Sequence, residues 1–557
     1  MRPFRLLIML ASAVAMYACG TDDIITIDPS SDADDTTSVI DCDYTIGIAF
    51  SSTGTASVSG YSDDFDVTVA GNSVTIVNNG LDEVRYELSG TTSDGKLKIY
   101  SARPQVVVLN SVSITNTDGA AINIQGPAAT PSKAKKTFVE ICGNNIIADG
   151  GSYSATPSDE DEKGTLFSEG DLIFSGSGTL EVHASGKSGI ISDDDIRFTA
   201  GPSITVTSSA GHGIKGQESV AIEGGTLSIT VSADRKKGIN SEGDITITGG
   251  ATTIAVTGNT TVESGDTATT AGIKADSNFT IAAGTLTISN SGRGGRGIAV
   301  DGNCTFAGGT VDVRVTGANF GSSGRGWGNN TDRSKGAKAI KCKGNMLISG
   351  GDIYATASQH EAIETKGTLQ VTGGEVYAYS ASDDALNSAS HMYIDGGYVY
   401  AHSAGNDGID ANGNCYIRGG VVYAVGKSSP EVAIDANTEG GYKLYVEGGT
   451  LIAIGGLERG STLTQSCYQS SSWTRNTWYA LTVGDKTYAF LTPSSGGSSI
   501  VLSGDSTPTL KSGITVSGGT SRMHGVMVED GTVSGGTSVN LSTYNGNSGG
   551  GGGHWWK

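Results

Sequence analysis

Acidic side chains recur at one corner of a repeating unit, and their spacing could create a cation site. Glu361, Asp384 and Asp407 follow one another at intervals of 23 residues. If the units stack at about 5 Å, equivalent carboxylates repel one another unless one is protonated or a cation binds. Oxygen ligands on flexible turns favour Ca²⁺; the alternative is a set of ordinary solvated turn residues. The candidate ligands are Glu361, Asp383, Asp384, Asp407, Asp410 and Asp435.

A column of tyrosines occupies a second fixed position of the same unit. The residues on either side of each tyrosine are aliphatic or alanine, so we expect the rings to point outward. A row of amphipathic rings suits the apolar C–H faces and polar rims of sugars. The alternative is a structural column that reflects β-propensity and ring stacking between strands. The column consists of Tyr354, Tyr377, Tyr400 and Tyr423.

Basic residues occupy the acidic corner's position earlier in the chain. Arg296 and Lys338 each stand two residues before an isoleucine, and an insertion follows at residues 317–336. Arginine can bind a carboxylate with two hydrogen bonds, so this edge could bind an acidic polysaccharide such as a uronate. The alternative is charge balance against nearby acidic residues. The residues of the insertion that would take part are Arg325, Trp327 and Arg333.

Signatures of catalysis are sparse. The sequence contains no HExxH motif, no P-loop and no recognisable Ser-His-Asp arrangement. A lyase would need calcium beside a lysine or arginine that removes a proton next to a uronate carboxylate, and no such base stands out. A formal charge of −21 argues against nucleic acid as a partner. We therefore expect a protein that is not an enzyme.

A repeat of about 23 residues must position these side chains. Each unit holds two alternating strands separated by Gly-Gly, followed by a small polar turn and an aliphatic corner. Apolar columns recur six and eight residues after that corner, as in Met392 and Ile394. Registered apolar columns are typical of a solenoid whose coils stack their interiors. Three consecutive units are KCKGNMLISGGDIYATASQHEAI from Lys341, ETKGTLQVTGGEVYAYSASDDAL from Glu364 and NSASHMYIDGGYVYAHSAGNDGI from Asn387.

The pattern predicts an all-β protein, a right-handed parallel β-helix with β-rich caps at both ends. The right hand follows from the crossover preference of parallel strands. The composition agrees, because 84 glycines among 557 residues disfavour long helices. Two other repeat folds are excluded. The sequence lacks the Asn/Leu signature of leucine-rich repeats, and the calcium β-roll repeats every nine residues instead of 23. Cys304 and Cys415 lie in one inward column, four coils apart, and are expected to be buried thiols.

The chain divides into segments by composition. Arg2 and Arg5 precede an apolar run that ends at Cys19, which resembles a bacterial lipobox with Cys19 as the lipidated residue. Simple secretion is the alternative. Acidic residues after Cys19 resemble surface-export signals, so we expect a monomeric outer-membrane lipoprotein on the cell surface, bound to the membrane only through its lipid. The segments are 1–18 signal peptide, 19–41 acidic tether, 42–163 N-terminal β cap with irregular coils, 164–456 β-helix, 457–543 C-terminal β cap and 544–557 Gly-rich tail.

The stretch SDDALNSASHMYIDGGYVYAHSAGNDGIDANGNCYIRGGVVYAVG, residues 382–426, resembles the carbohydrate-binding β-helix domain family, formerly a domain of unknown function. Shorter matches occur at Tyr86–Gly90 and Gly211–Gly216, and the resemblance extends over roughly residues 50–500. It implies a polysaccharide-lyase-like fold that binds cellulose- and polygalacturonate-type glycans with calcium present. The residues to which it transfers a calcium role are Asp383, Asp384, Asp407 and Asp410. The insertion at 317–336 has no counterpart in the family pattern.

These observations together predict non-catalytic binding of an acidic or plant-type polysaccharide at the cell surface, with calcium. A pectate-type lyase is the first alternative. The second is a structural or adhesive rod.

Overall fold

The computed structural model describes residues 40–80, 82–127, 135–154, 160–263, 266–321 and 336–546. The predictions for the signal peptide, for Cys19 and for residues 547–557 lie outside these ranges. Among the described residues, no helix has the length and apolar character needed to span a membrane.

The predicted parallel β-helix is confirmed. Each complete coil contributes one strand to each of three faces, and every strand pairs in parallel with its equivalent in the next coil. The coils keep the predicted spacing, since Ile363 pairs with Leu386 and Leu386 with Ile409. The right hand of the helix remains a prediction.

Face one carries the acidic and basic corner. Its strands form a 15-stranded sheet. They are Phe65–Ala70, Ser73–Asn78, Lys96–Tyr100, Ile122–Gln125, Gly164–Ser168, Ser188–Ser192, Ile214–Gly216, Lys237–Ser241, Ala271–Ala275, Arg296–Val300, Lys338–Cys342, Ile363–Thr365, Leu386–Ser388, Ile409–Ala411 and Ile434–Ala436.

Face two holds short strands whose outer residues alternate with the apolar columns. Its strands are Thr137–Cys142, Leu172–Gly176, Ile196–Phe198, Val220–Ile222, Ile245–Ile247, Phe279–Ile281, Cys304–Phe306, Met346–Ile348, Leu369–Val371, Met392–Ile394, Cys415–Ile417, Leu444–Val446 and Thr462–Leu463.

Face three carries the predicted tyrosine column. Its strands are Asn144–Ser152, Thr179–Ala184, Ser203–Ser208, Thr226–Val231, Ala251–Val256, Thr285–Asn290, Thr310–Val315, Asp352–Ala357, Glu375–Ser380, Tyr398–Ser403, Val421–Val425 and Thr450–Ile454. The long strand Gln105–Asp118 pairs on both face two and face three.

Parallel pairing starts well before residue 164, within the segment 42–163 that the sequence assigns to an N-terminal β cap with irregular coils. Tyr44–Phe50 pairs in parallel with Val84–Thr92, and that strand pairs in parallel with Gln105–Asp118. Ser57–Ser59 adds an antiparallel partner to the first of these strands. The N-terminal region therefore continues the stack of the later coils. A small hairpin, Thr261–Glu263 with Asp266–Ala268, projects between two coils.

One hydrophobic core runs through the stack. The predicted inward columns are buried, including Cys304 and Cys415, which are free thiols with no exposed surface. The Gly-Gly bend has two separate causes. A Cβ atom at Gly396 would collide with the carbonyl oxygen of Thr372 in the preceding coil, whereas Gly397 adopts a left-handed φ of 78°, which favours glycine.

The C-terminal region closes the stack and then folds back over it. Ile500–Ser503 pairs antiparallel with Thr450–Ile454 and with Cys467–Ser470, which pairs in turn with Ser542–Tyr544. Short 3₁₀ turns occur at Thr438–Gly440 and Met523–Gly525. A six-stranded antiparallel sheet, here called the cap sheet, consists in order of Thr520–Arg522, Met527–Glu529, Lys486–Leu491, Trp478–Val483, Thr509–Ser517 and Thr532–Val539.

Candidate functional site

The face-three tyrosines are aligned as the repeat predicts. Tyr354 pairs with Tyr377, Tyr377 with Tyr400, and Tyr400 with Tyr423. The first two rings are stacked, with centroids 4.6 Å apart and planes inclined by 15°. Ile353 and Val376, which alternate with them, point into the core. The rings therefore point away from the solenoid interior, as expected.

The cap sheet covers the C-terminal half of this column. Tyr400 is 3% exposed and Tyr423 is fully buried. The Tyr423 ring packs edge-on against Phe490 at 5.4 Å, and its hydroxyl donates to the Leu491 carbonyl oxygen at 3.1 Å. The prediction that Tyr400 and Tyr423 offer their rings to a glycan is therefore wrong, because a distant segment of the chain already occupies that surface.

Tyr354 and Tyr377 remain partly exposed at the margin of the cap sheet. The Arg314 guanidinium lies 4.4 Å from the Tyr354 ring centroid, and His524 of the cap sheet's 3₁₀ turn packs edge-on against Tyr354 at 4.8 Å. His524 also contacts the Asp352 carboxylate at 2.8 Å. A sugar could reach these two rings only at the boundary between the coils and the cap sheet, where residues of both regions surround them.

The acidic corner forms two aligned rows on face one. The side chains of the first row are buried, since Glu361, Asp384 and Asp407 are 7%, 4% and 5% exposed. The alternative of ordinary solvated turn residues is therefore wrong for these three. The first row, which follows from the pairing of the adjacent strands, is Glu361, Asp384 and Asp407. The second row is Glu364, Asn387, Asp410 and Asp435.

Cations compensate the N-terminal end of these rows. Lys338, itself 1% exposed, places its ammonium 2.9 Å from Glu361 and 2.6 Å from Glu364. His360 contacts both Glu361 and Asp383, the latter at 2.9 Å. Burial alone would raise the pKa of Glu361, but the His360 hydrogen bond and the Lys338 charge lower it to about 2. His360, Glu361 and Asp383 converge closely enough to hold a metal ion, although Lys338 competes for the same carboxylate.

At the C-terminal end of the rows, burial and neighbouring carboxylates disfavour the charged forms of Asp384 and Asp435. Burial, together with Asp410, Asp383 and Asp407, raises the pKa of Asp384 well above its usual range. Burial and a hydrogen bond with Glu458 raise the pKa of Asp435 to about 10. Amide groups supply hydrogen bonds here, with Asn406 donating to Asp384 at 2.6 Å and Asn387 to Asp410 at 2.9 Å. A bound Ca²⁺ would neutralise carboxylates whose charged forms are disfavoured in this way.

The basic edge joins the acidic edge instead of forming a separate surface. Arg296 pairs in register with Lys338, and both lie beside Glu364. Contrary to prediction, Arg296 is only 9% exposed and offers little surface to a glycan; its burial lowers the pKa of its guanidinium. Charge balance, the alternative considered from sequence, describes Arg296 and Lys338. The remaining basic-site predictions, Arg325, Trp327 and Arg333, lie outside the described residues.

Two further acidic groups escaped the sequence analysis. Their members come close enough together to hold a cation. They lie in the early coils, where acidic residues do not recur at a fixed position of the repeat. The three consecutive aspartates at residues 193–195 were the one sequence signal that could have indicated them. The groups are Asp171 with Asp194 and Asp195, and Asp161 with Glu169 and Asp193.

A second tyrosine column also escaped prediction. Tyr393, Tyr416 and Tyr445 stand at the outward position between the two apolar columns on face two. The signal was available, because a residue between two inward positions of a strand points outward. Each of these tyrosines is partly exposed.

Comparison with known proteins defines the class. A family model described as carbohydrate-binding domain-containing protein matches residues 70–385. Because the match covers more than half of the chain, the protein belongs to this family. The match ends before the coils that carry Tyr393, Tyr416 and most of the acidic rows.

Two relatives add detail. A carbohydrate-binding domain-containing protein of Acetivibrio thermocellus is 32% identical over 126 residues, which is 22% of this chain. The matched part spans 41% of that relative's length. A solved structure, described as the polysaccharide lyase-like protein from C. thermocellum in a gadolinium derivative, shares 25% identity with a TM-score of 0.38; the alignment covers 47% of this chain and 96% of that one.

Proposed function

We propose that this protein binds an acidic or plant-type polysaccharide, such as polygalacturonate or a cellulose-like chain, without cleaving it, and that calcium takes part at the acidic rows. The observation that carries the proposal is the pair of aligned acidic rows on face one. The charged groups that raise the pKa values of Asp384 and Asp435 there are other carboxylates. Asp384, Asp407, Asp410 and Asp435 would hold the ion. Bound Ca²⁺ would neutralise these carboxylates and offer further coordination positions to uronate oxygens.

The state of the lysines on this edge supports binding without cleavage. Lys338 is held between Glu361 and Glu364, so its amine is committed to ion pairs. Burial lowers the pKa of Lys341 to about 8, but Lys341 is 6% exposed and faces Glu364 at 3.7 Å. A base for β-elimination would need access to the sugar ring. Neither Lys338 nor Lys341 therefore offers a free, accessible base at this corner.

Affinity electrophoresis of the purified chain tests the proposal. We expect retardation in gels that contain polygalacturonate, with stronger retardation in calcium than in EDTA. Asp384→Asn and Asp410→Asn should abolish the calcium effect. Asp312→Asn, whose carboxylate pairs with Arg314 on face three, is the control and should behave like the wild type.

Other outcomes would favour the alternatives. Retardation by no polysaccharide would contradict binding and favour the adhesive rod. Release of an unsaturated product that absorbs in the ultraviolet would favour the pectate-type lyase.

Calcium should also affect stability in a pH-dependent way. In the folded protein the pKa of Asp435 is raised to about 10, whereas an unfolded aspartate titrates near about 3.9. The cost of ionising this carboxyl in the fold is therefore absent below about pH 4 and grows as the pH rises. Calcium removes that cost, so its stabilising effect, about 2.7 kcal/mol at roughly 100 times its Kd, should grow with pH. Thermal melts with calcium or EDTA measure it, and equal melting temperatures at pH 8 would contradict the calcium site.

The proposed location is the outer face of the outer membrane, with a lipid on Cys19 and a monomeric chain. The support is the lipobox-like sequence and the acidic residues that follow it. Labelling cells with a radioactive fatty acid should mark the wild type and not Cys19→Ser. Protease added to intact cells should degrade the protein if it faces outward. Sedimentation of the soluble form tests the monomer.

A further inference from the structure

The tyrosine column on face two forms a stacked ladder. Tyr393 pairs in register with Tyr416, and Tyr416 with Tyr445. The ring centroids are 5.0 and 4.7 Å apart, and the ring planes are inclined by only 4° and 10°. Stacked rings present their edges and hydroxyl groups to solvent. The ladder is thus a row of apolar edges and polar tips with one ring per coil.

Arg418 fixes the ladder from the side. Its guanidinium carbon lies 4.9 Å from the Tyr393 centroid and 4.5 Å from the Tyr416 centroid, within the range of a cation–π contact. Asn414 donates a hydrogen bond to the Tyr416 hydroxyl at 3.0 Å. The rings are therefore held in place before any ligand arrives, which reduces the entropy that binding must offset.

The charges around the ladder favour an uncharged ligand. The Arg418 guanidinium lies 3.2 Å from Glu447 and 3.8 Å from Asp395, so two carboxylates already share it. Asp395 also accepts a hydrogen bond from Gln370 at 2.8 Å. A uronate carboxylate placed here would face both acidic side chains, and such like-charge contacts select against the wrong partner.

The aromatic surface continues around the corner from the ladder. The His391 ring lies 6.3 Å from Tyr393 and 5.8 Å from Tyr442. Tyr442 is 39% exposed, which makes it one of the most exposed large hydrophobic residues among those described. At the other end, the residue in register after Tyr445 is Thr462, whose side chain is too small to cover a phenol ring. The ladder of rings therefore ends at Tyr445.

We propose that Tyr393, Tyr416 and Tyr445, with Arg418, form a calcium-independent binding surface for a neutral polysaccharide, separate from the acidic rows on face one. This inference rests on the proposed carbohydrate-binding function and assigns a second surface to it. The chain would run along the solenoid axis, because the coil spacing of about 4.8 Å is comparable with the length of one sugar unit. Each coil would offer one hydroxyl and one ring edge to one sugar.

Affinity electrophoresis of the full chain tests the proposal with two probes. Hydroxyethylcellulose is the neutral probe and polygalacturonate the acidic one, each with calcium and with EDTA. We expect hydroxyethylcellulose to retard the wild type equally in both buffers. Tyr416→Ala should weaken that affinity at least tenfold and leave the affinity for polygalacturonate within twofold. Tyr416→Phe, which keeps the stacking, should lose less than Tyr416→Ala.

A control on the same face separates binding from folding. Thr280→Ala changes the outward residue of an earlier face-two strand and should leave both affinities unchanged. If circular dichroism shows that Tyr416→Ala folds poorly, Tyr445→Ala at the end of the ladder replaces it in the test. We expect the same loss of hydroxyethylcellulose affinity from Tyr445→Ala.

The outcomes distinguish this inference from the proposed function. If polygalacturonate retards the wild type and hydroxyethylcellulose does not, the ladder proposal is wrong and the proposed function stands. If folded Tyr416→Ala and Tyr445→Ala bind hydroxyethylcellulose like the wild type, the ladder is only structural. Loss of hydroxyethylcellulose binding in EDTA would also overturn the proposal. If neither polymer retards the wild type, both proposals fail together.

Discussion

The two tyrosine columns of the late coils share the same repeat and differ in what covers them. On face three, Tyr400 and Tyr423 are buried beneath the cap sheet. On face two, Tyr393, Tyr416 and Tyr445 keep part of their surface in solvent. Both columns point outward from the coil. The difference arises from residues 478–539, which fold back onto one face.

This difference separates two uses of the same residue type. A tyrosine beneath the cap sheet contributes to stability through the area that it buries and the hydrogen bond of its hydroxyl. A tyrosine in the open ladder is partly exposed. It is held by ring stacking and the Arg418 contact, and it keeps its hydroxyl edge for a ligand. Substitutions in the two columns should therefore affect different measurements.

The largest effect is expected from Tyr423→Ala. The fully buried ring contacts Tyr400 and Phe490, and its removal leaves a cavity and an unpaired carbonyl of Leu491. We expect a loss of about 3–5 kcal/mol of unfolding free energy, as for other buried aromatic residues. Urea denaturation followed by tryptophan fluorescence, with Trp473 and Trp478 as probes in the C-terminal region, measures the loss.

Tyr416→Ala is the matched substitution on the open face and should cost less, about 1–2 kcal/mol, because it removes ring stacking from a partly exposed side chain without opening a buried cavity. Comparable losses from the two variants would show that the columns do not differ in burial.

A somewhat smaller effect is expected from pH at His402. Burial lowers the pKa of His402 to about 4, and its Nδ1 lies 3.0 Å from the Tyr400 hydroxyl. The unfolded histidine titrates near about 6.5. The stability gained from the neutral form is therefore present above pH 6.5 and is lost as the pH falls towards 4, by up to about 3 kcal/mol. Unfolding free energies between these pH values measure the slope, which His402→Asn should flatten.

His183 supplies the control, because it occupies the equivalent position on face three in an early coil, where its side chain is 47% exposed. His183→Asn should keep the wild-type slope. An unchanged slope in His402→Asn would mean that this histidine is not buried in solution.

The smallest effect is expected at the contact between the cap sheet and the coils. Glu375 pairs with Arg522 at 2.9 Å and accepts from the Met523 backbone N–H at 2.8 Å. Both side chains of the ion pair are partly exposed, so Glu375→Ala should cost about 1 kcal/mol. Hydrogen exchange should accelerate in residues 520–529 and stay unchanged on face two. Asp312→Ala, which breaks the Arg314 pair instead, should leave 520–529 unchanged.

The repeat itself could be predicted from sequence because it is local. Alternation, Gly-Gly bends and a constant interval specify the register of Ile363, Leu386 and Ile409 without knowledge of any distant residue. The inward columns and the buried thiols Cys304 and Cys415 followed from the same rule. The alignment of Glu361, Asp384 and Asp407 followed as well.

The features that could not be predicted depend on distant or irregular parts of the chain. The burial of Tyr423 depends on Phe490 and Leu491, which no repeat links to it. The sequence pattern predicted the basic edge and the acidic edge as two separate surfaces. In the structure Lys338 pairs with Glu364, because the basic residues of one coil lie directly beside the acidic residues of the next. The face-two ladder was predictable in principle, since Tyr393 and Tyr416 occupy a fixed outward position.

The constant coil of 23 residues between Ile363, Leu386 and Ile409 also has an evolutionary consequence. Each coil pairs only with its two neighbours and turns at the same corners. An in-frame duplication or deletion of the DNA for one coil would therefore keep the register of all the others. Such an event would lengthen or shorten the exposed rows by one residue at a time. Replication slippage in the repeated part of the gene could therefore change the length of a binding surface, and with it the preferred length of the ligand. Every intermediate in such a series would still fold.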